Sequence, residues 1–91
     1  MTKSIKTVGV CGAAGTMGAG IALVAARAGF RTISYDMKSD ALERATKQSA
    51  AFLDKSVERG KLKATKRDVI VGAMSHTTDI AELGGCDLVI E

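Results

Sequence analysis

Proline and tryptophan are absent from this 91-residue chain, and its aromatic residues are only Phe30, Tyr35 and Phe52. The missing prolines, beside ten glycines and 46% apolar residues, argue for packed α/β structure and against disorder. Three scattered aromatics give no platform for stacking bases, and a net charge of +3 is too small to point to nucleic acid. Two cysteines, Cys11 and Cys86, are too few for a disulfide framework, and neither belongs to a metal-ligand pair. Each lies in or beside an apolar strand, so buried, inert thiols are expected. Histidine occurs once, at His76, and no Ser/His/Asp constellation or metal cluster can be assembled around it. No apolar run approaches the length that spans a membrane, and a cytoplasmic protein is expected. A chain of this length is one domain at most. It buries only about 60–65% of its unfolded surface, so its stability margin is thin.

The most informative stretch is Val8-Gly9-Val10-Cys11-Gly12-Ala13-Ala14-Gly15-Thr16-Met17-Gly18-Ala19-Gly20-Ile21-Ala22. A short apolar run meets a glycine-rich turn that opens directly into a helical pattern. Such a turn seats a dinucleotide pyrophosphate. The first glycine turns the strand, the second lets backbone approach phosphate, and the third lets helix pack on strand. The phosphates then sit on the free N–H groups and positive end of the helix. An acidic residue about 20 positions on completes the pattern, and Asp36 fills that place. The spacing Gly12, Gly15, Gly18 is G-x-x-G-x-x-G, one residue longer than the usual G-x-G-x-x-G. Lys3 and Lys6 ahead of small and apolar residues loosely mimic a leader peptide, but the glycines cut that run and the dinucleotide reading accounts for it better.

Strand and helix alternate along the rest. Ile5–Cys11 reads as a strand, and Thr16–Ala28 as a helix with Met17, Ile21, Val24 and Ala25 near a 3.6-residue period, ended by Gly29. Its alanine and glycine positions (Ala19, Gly20, Ala22, Ala26) suit close packing on a sheet. Arg31–Asp36 is a second strand. A long helix follows, capped by Ser39 or by Asp40 with Glu43 in the reciprocal place. Leu42, Ala45, Ser49, Phe52, Leu53 and Val57 form its apolar stripe, and Gly60 stops it. Thr65–Ala73 is predicted as a short helix with Asp68 in its first turn, and Met74–Thr77 as a third strand. Thr78 or Asp79 caps a brief helical turn over Ile80 and Leu83, and Asp87–Glu91 is a fourth strand. The fold class is therefore α/β, a Rossmann-type parallel sheet of order 3-2-1-4 with flanking helices. Strand four lies across strand one from strand two and leaves an edge for a fifth strand.

Gly15-Thr16-Met17-Gly18-Ala19-Gly20-Ile21-Ala22, Arg27-Ala28-Gly29 and Asp36 resemble the NAD-binding domain of L-3-hydroxyacyl-CoA dehydrogenases. Ala41-Leu42-Glu43-Arg44-Ala45, Glu58-Arg59-Gly60-Lys61-Leu62, Thr77-Thr78-Asp79 and Cys86-Asp87-Leu88-Val89-Ile90-Glu91 extend the similarity over the whole chain. The family usually has Gly-x-Gly where this chain has Gly12-Ala13-Ala14-Gly15, a turn like that of malate dehydrogenase. The resemblance implies NAD as cofactor, an acyl-CoA substrate oxidised at its 3-hydroxyl, and a homo-oligomer. It also implies a catalytic histidine–glutamate pair downstream of Glu91. Residues 1–91 are then the N-terminal part of the NAD-binding domain, without the C-terminal substrate and dimerisation domain, and inactive alone. A β-hydroxyacid dehydrogenase of another class and a non-catalytic nucleotide-binding module are the alternatives.

The cofactor-binding residues expected are Gly12, Ala13, Ala14, Gly15, Thr16, Met17, Gly18 and Asp36; no catalytic or metal-binding residue is expected. Asp36 would accept hydrogen bonds from the adenosine ribose and repel a 2′-phosphate, favouring NAD over NADP, with Lys38 softening the preference. Thr16 and Met17 would offer backbone N–H groups. Between Lys55 and Arg67, six cations face only Glu58, a net of +5. The resemblance brings the end of this helix towards CoA, making Lys55 or Arg59 a candidate phosphate contact; a solvated face is the other reading. His76 is expected to be structural or exposed.

Overall fold

The computed structural model describes residues 5–91; Lys3 lies outside them. Four parallel strands, β1 (Thr7–Cys11), β2 (Arg31–Tyr35), β3 (Met74–Thr77) and β4 (Leu88–Ile90), pair in the order β3-β2-β1-β4. This is the predicted order, and the Rossmann-type α/β class stands. Helices α1 (Thr16–Arg27), α2 (Ser39–Glu58) and α3 (Ala64–Gly72) make the crossovers, and a 3-10 segment, Ile80–Gly85, leads into β4. Cα extents of 39 × 37 × 18 Å describe a slab about two layers thick, sheet and helices.

The alternation of β1 decides which face is which. Val8 and Val10, 3% and 1% exposed, pack with Ala22 of α1 and Leu42 of α2, whereas Gly9 faces the Leu83 and Cys86 side chains across the sheet. A second cluster, Ala26, Leu53 and Ile70, ties α1, α2 and α3 together. Thr32 is fully buried in β2, and its hydroxyl donates to the Phe30 carbonyl at 3.1 Å. No buried side-chain polar atom among the described residues lacks a partner, as a dry core requires.

Helix α1 turns a different side to the sheet from the one its larger residues suggest. Met17 and Val24 are 80% and 68% exposed, and the buried positions are Ala22 and Ala26. Close approach to the sheet selects small side chains, so volume overrides apolar periodicity here. Of the predicted α2 stripe, Leu42, Ala45, Ser49 and Leu53 are buried, while Phe52 is half exposed. Gly29 and Gly60 follow α1 and α2 with φ of +101° and +71°, in the left-handed conformation that ends helices.

The caps differ from expectation in two places. Helix α2 begins at Ser39 with Lys38 in the cap position and no side-chain cap bond, so neither Ser39 nor the Asp40–Glu43 pair caps it. The Asp36 carboxylate accepts from the Lys38 N–H at 3.0 Å and so turns the chain into the helix. Helix α3 begins at Ala64 after Lys63, with no acidic residue in its first turn; Asp68 pairs with Arg67 instead. At the 3-10 segment the prediction holds, since the Asp79 carboxylate accepts from the Ala81 N–H at 3.0 Å. Cys11 and Cys86 are half-buried free thiols. Burial, then the charge of Asp87 and of Cys11, pushes the Cys86 thiol up, which keeps it protonated and unreactive at neutral pH.

One contact holds the lower end of the sheet. Asp87 Oδ2 accepts from the N–H groups of Lys6 and Thr7 at 2.9 and 3.0 Å, and the Asp87 N–H donates to the Thr7 carbonyl at 2.9 Å. Charge-assisted bonds of this kind contribute about 1.5–3 kcal/mol, discounted here for exposure. Asp87→Ala is expected to destabilise the fold by about 1–2 kcal/mol, read as a lower urea midpoint with an unchanged slope. A midpoint equal to wild type would show that the ladder alone fixes β4 on β1.

Candidate dinucleotide site

Strand β1 is central: the chain leaves it for β2 on one side and reaches β4, on its other side, from β3. The crevice at its C-terminal end is therefore a switch point, where parallel sheets bind ligands. All the predicted cofactor residues stand at that end.

Gly12 leaves β1 with φ +70°, a conformation costly for any residue with a Cβ. The Gly15 N–H closes the turn on the Gly12 carbonyl at 3.1 Å, and the Ala13 N–H donates to the Tyr35 carbonyl at 3.0 Å. Ala13 is 2% exposed and anchors the turn. Gly15 is the extended residue before α1, and the first helical bond runs from the Ala19 N–H to the Gly15 carbonyl at 2.9 Å. By helix geometry the Thr16, Met17 and Gly18 N–H groups have no carbonyl within α1 to meet. No side chain caps them, and the first turn holds no acidic residue, so its partial positive charge is uncompensated. Gly18 lies directly against the turn: a Cβ there would meet the Gly12 carbonyl group and come within 3.0 Å of Ala13 Cα. This is the close helix–strand packing expected of the third glycine.

Asp36 follows β2 beside this turn. Its Oδ1 accepts from the Lys38 N–H at 3.0 Å and its Oδ2 from the Ala14 N–H at 3.1 Å. The Lys38 N–H lowers its pKa most; burial opposes this, and the Ala14 and Met37 N–H groups and the Lys38 charge add to the lowering. The carboxylate is thus an ionised acceptor at neutral pH. Because the folded pKa is depressed, these bonds stabilise the fold fully above the unfolded value and are lost as pH falls through the folded one. A carbon-detected titration of Asp36 is expected to give a midpoint below 3.8; a midpoint at or above it would remove the two N–H bonds from the description.

The cations separate into groups. Arg67 clasps Asp54 at 2.8 Å and Asp68 at 3.3 Å, joining α3 to α2. Lys55, Arg59 and Lys61 line a hollow of about 250 Å³ with Arg27, Phe52 and Ser56. Arg27 was read from the sequence only as part of the family resemblance, not as a phosphate contact. Both α1 and α2 follow parallel strands, so their C-terminal ends share one edge of the slab, and that topology is the signal that could have paired Arg27 with Arg59. The hollow lies at the opposite end of α1 from the glycine turn. His76 is exposed on β3, two strands from β1.

Comparison with known proteins agrees with this arrangement. Residues 7–91 match the family model described as 3-hydroxyacyl-CoA dehydrogenase, NAD binding domain. The chain is 44% identical over 91 residues to the 3-hydroxyadipyl-CoA dehydrogenase of Escherichia coli K12, covering all of this chain and 19% of that protein. It is 36% identical over 91 residues to a 3-hydroxybutyryl-CoA dehydrogenase of Mycobacterium tuberculosis, again over its whole length and 32% of the relative. The crystal structure of 3-hydroxybutyryl-CoA dehydrogenase from Escherichia coli K12 superposes with a TM-score of 0.91 at 42% identity, over 96% of this chain and 18% of that one. The chain thus spans a third or less of the length of these relatives. With a switch-point crevice, a glycine turn feeding an uncapped helix and an acid closing the second strand, the chain belongs to the 3-hydroxyacyl-CoA dehydrogenase family, of which it carries the NAD-binding domain.

Proposed function

We propose that Gly12, Ala13, Ala14, Gly15, Thr16, Met17, Gly18 and Asp36 form the adenosine and pyrophosphate half of the NAD site. The complete protein then oxidises the 3-hydroxyl of an acyl-CoA. The observation that carries this reading is the first turn of α1, without cap or acid, set beside an ionised Asp36. The Thr16–Gly18 N–H groups would take the pyrophosphate. Asp36 uses one lone pair of each oxygen on backbone N–H groups, which leaves acceptor capacity for ribose hydroxyls. NAD, when bound, supplies the hydride acceptor. In this reading residues 1–91 are the N-terminal part of a Rossmann domain, and the substrate and dimerisation domain and the catalytic pair belong to sequence beyond them.

An acyl-CoA substrate is supported by the names of the relatives and by the cationic hollow of Arg27, Lys55, Arg59 and Lys61, which suits the nucleotide phosphates of CoA. Free Cys11 and Cys86 fit a reducing, cytoplasmic compartment. A homo-oligomer of the whole protein belongs to the same reading.

Calorimetric titration with NAD, ADP-ribose and NADP tests it. Saturable binding of NAD and ADP-ribose is expected, with NADP weaker and Asp36→Ala weakening NAD at least about tenfold, the worth of a charged hydrogen bond. Absence of NAD binding by the folded protein would overturn the site assignment. Adenosine 3′,5′-bisphosphate binding that falls with Arg59→Ala, while NAD affinity holds, is the matching result for the hollow.

A further inference from the structure

The residue that lengthens the glycine turn has a use of its own. Gly12-Ala13-Ala14-Gly15 offers three N–H groups after Gly12, and each has a partner within the protein. Ala13 donates to the Tyr35 carbonyl, Gly15 to the Gly12 carbonyl, and Ala14 to Asp36 Oδ2 at 3.1 Å. The first two are backbone bonds that any sequence could make. The third is the only one of these that depends on a side chain, and it joins residues 22 positions apart. The carboxylate is itself fixed. Its other oxygen takes the Lys38 N–H at 3.0 Å, and the Asp36 N–H donates to the Thr77 carbonyl at 3.3 Å. The turn is thus moored, through Ala14, to a group whose backbone is held by β3 and whose side chain is held at the start of α2.

We propose that Asp36 is a positioning residue for the phosphate turn in addition to any contact with ribose. The Ala14 N–H is the point at which it holds the turn, so the Thr16–Gly18 donors stay aimed into the crevice. This rests on the dinucleotide reading above and separates two roles of one carboxylate. A ribose acceptor matters only to ligands that carry ribose hydroxyls. A positioning residue matters also to ligands that lack them.

The test is a cycle of two proteins and two ligands. ADP and 2′,3′-dideoxyadenosine 5′-diphosphate are titrated into wild type and Asp36→Ala. Removing a negative charge near a diphosphate would by itself tighten binding of the dideoxy ligand. Loss of positioning weakens it, so the two effects differ in sign. The expected result is weaker binding of the dideoxy ligand to Asp36→Ala by about fivefold or more, the scale of one ordinary hydrogen bond. Equal or tighter binding would overturn the proposal and leave Asp36 as a ribose acceptor alone. Failure of ADP to bind wild type would instead refute the dinucleotide reading, so the two failures are distinct. Amide hydrogen exchange gives a readout without ligand. The Ala14 N–H should exchange slowly in wild type and fast in Asp36→Ala, which removes the acceptor oxygens, with β1 and β2 amides unchanged. An Ala14 N–H that exchanges freely in wild type would also overturn it.

Discussion

Gly18→Ala is expected to cost the fold about 2–3 kcal/mol and to weaken NAD on the order of a hundredfold. The added methyl meets backbone: Gly12 C at 2.8 Å and Ala13 Cα at 3.0 Å, with the Gly12 carbonyl oxygen nearer still. None of these can rotate aside as a side chain could, so either α1 lifts from β1 or the turn shifts. A lift opens the cluster of Val8, Val10, Ala13 and Ala22. A shift of about an ångström re-aims every donor at the helix start, which is why the binding loss, about 2.7 kcal/mol, is as large as the stability loss. Two residues on, the same substitution has the opposite sign. A Cβ at Gly20 meets nothing within 4 Å, and replacing a helical glycine by alanine gains about 0.5–1 kcal/mol. Thermal unfolding of both variants decides the matter. A midpoint for Gly18→Ala at or above that of Gly20→Ala would refute the close-packing account.

Leu53→Ala is expected to remove about 3–4 kcal/mol, a large share of what a domain of this size holds. Leu53 has no exposed surface and sits where Ala26 of α1 and Ile70 of α3 converge, with Leu23, Leu62, Val71 and Met74 packed around them. Helices meet helices there, and a vacated side chain cannot be replaced by rotating a neighbour. The adjacent Phe52, half exposed, is the control: Phe52→Ala should cost about 1 kcal/mol. Urea midpoints measure both. Similar losses at the two positions would mean that the second cluster does not hold α2.

Both positions lie in elements that the sequence made legible, for different reasons. Leu53 belongs to a helix whose apolar stripe has the right period, and burial followed that period at Leu42, Ala45, Ser49 and Leu53. Gly18 belongs to a motif in which glycine spacing, strand and helix agree. Periodicity held in α1 for Ile21 and Ala25, which pack against the core, and failed for Met17 and Val24, which are too large for a helix resting on backbone at Gly18. Helix starts were misread where no side chain caps them; at α2, Asp36 instead holds the N–H of Lys38, the residue before the helix. The clamp of Asp87 on Lys6 and Thr7 and the tie of Asp36 to Ala14 left no trace in spacing. Each joins residues that become neighbours only once parallel strands are in register. The place of Arg27 in the cationic hollow was missed for the same reason.

The proposed adenosine half-site occupies one unbroken stretch of chain, from Gly12 to Asp36, within a single strand–helix–strand unit. Its donors and acceptor are therefore brought together by closing one short loop, whose entropic cost grows only slowly with length. A dinucleotide that needs the turn and the acid together would bind folded chains in preference to unfolded ones, and would stabilise by mass action the pairing of β1 with β2 that creates its own seat.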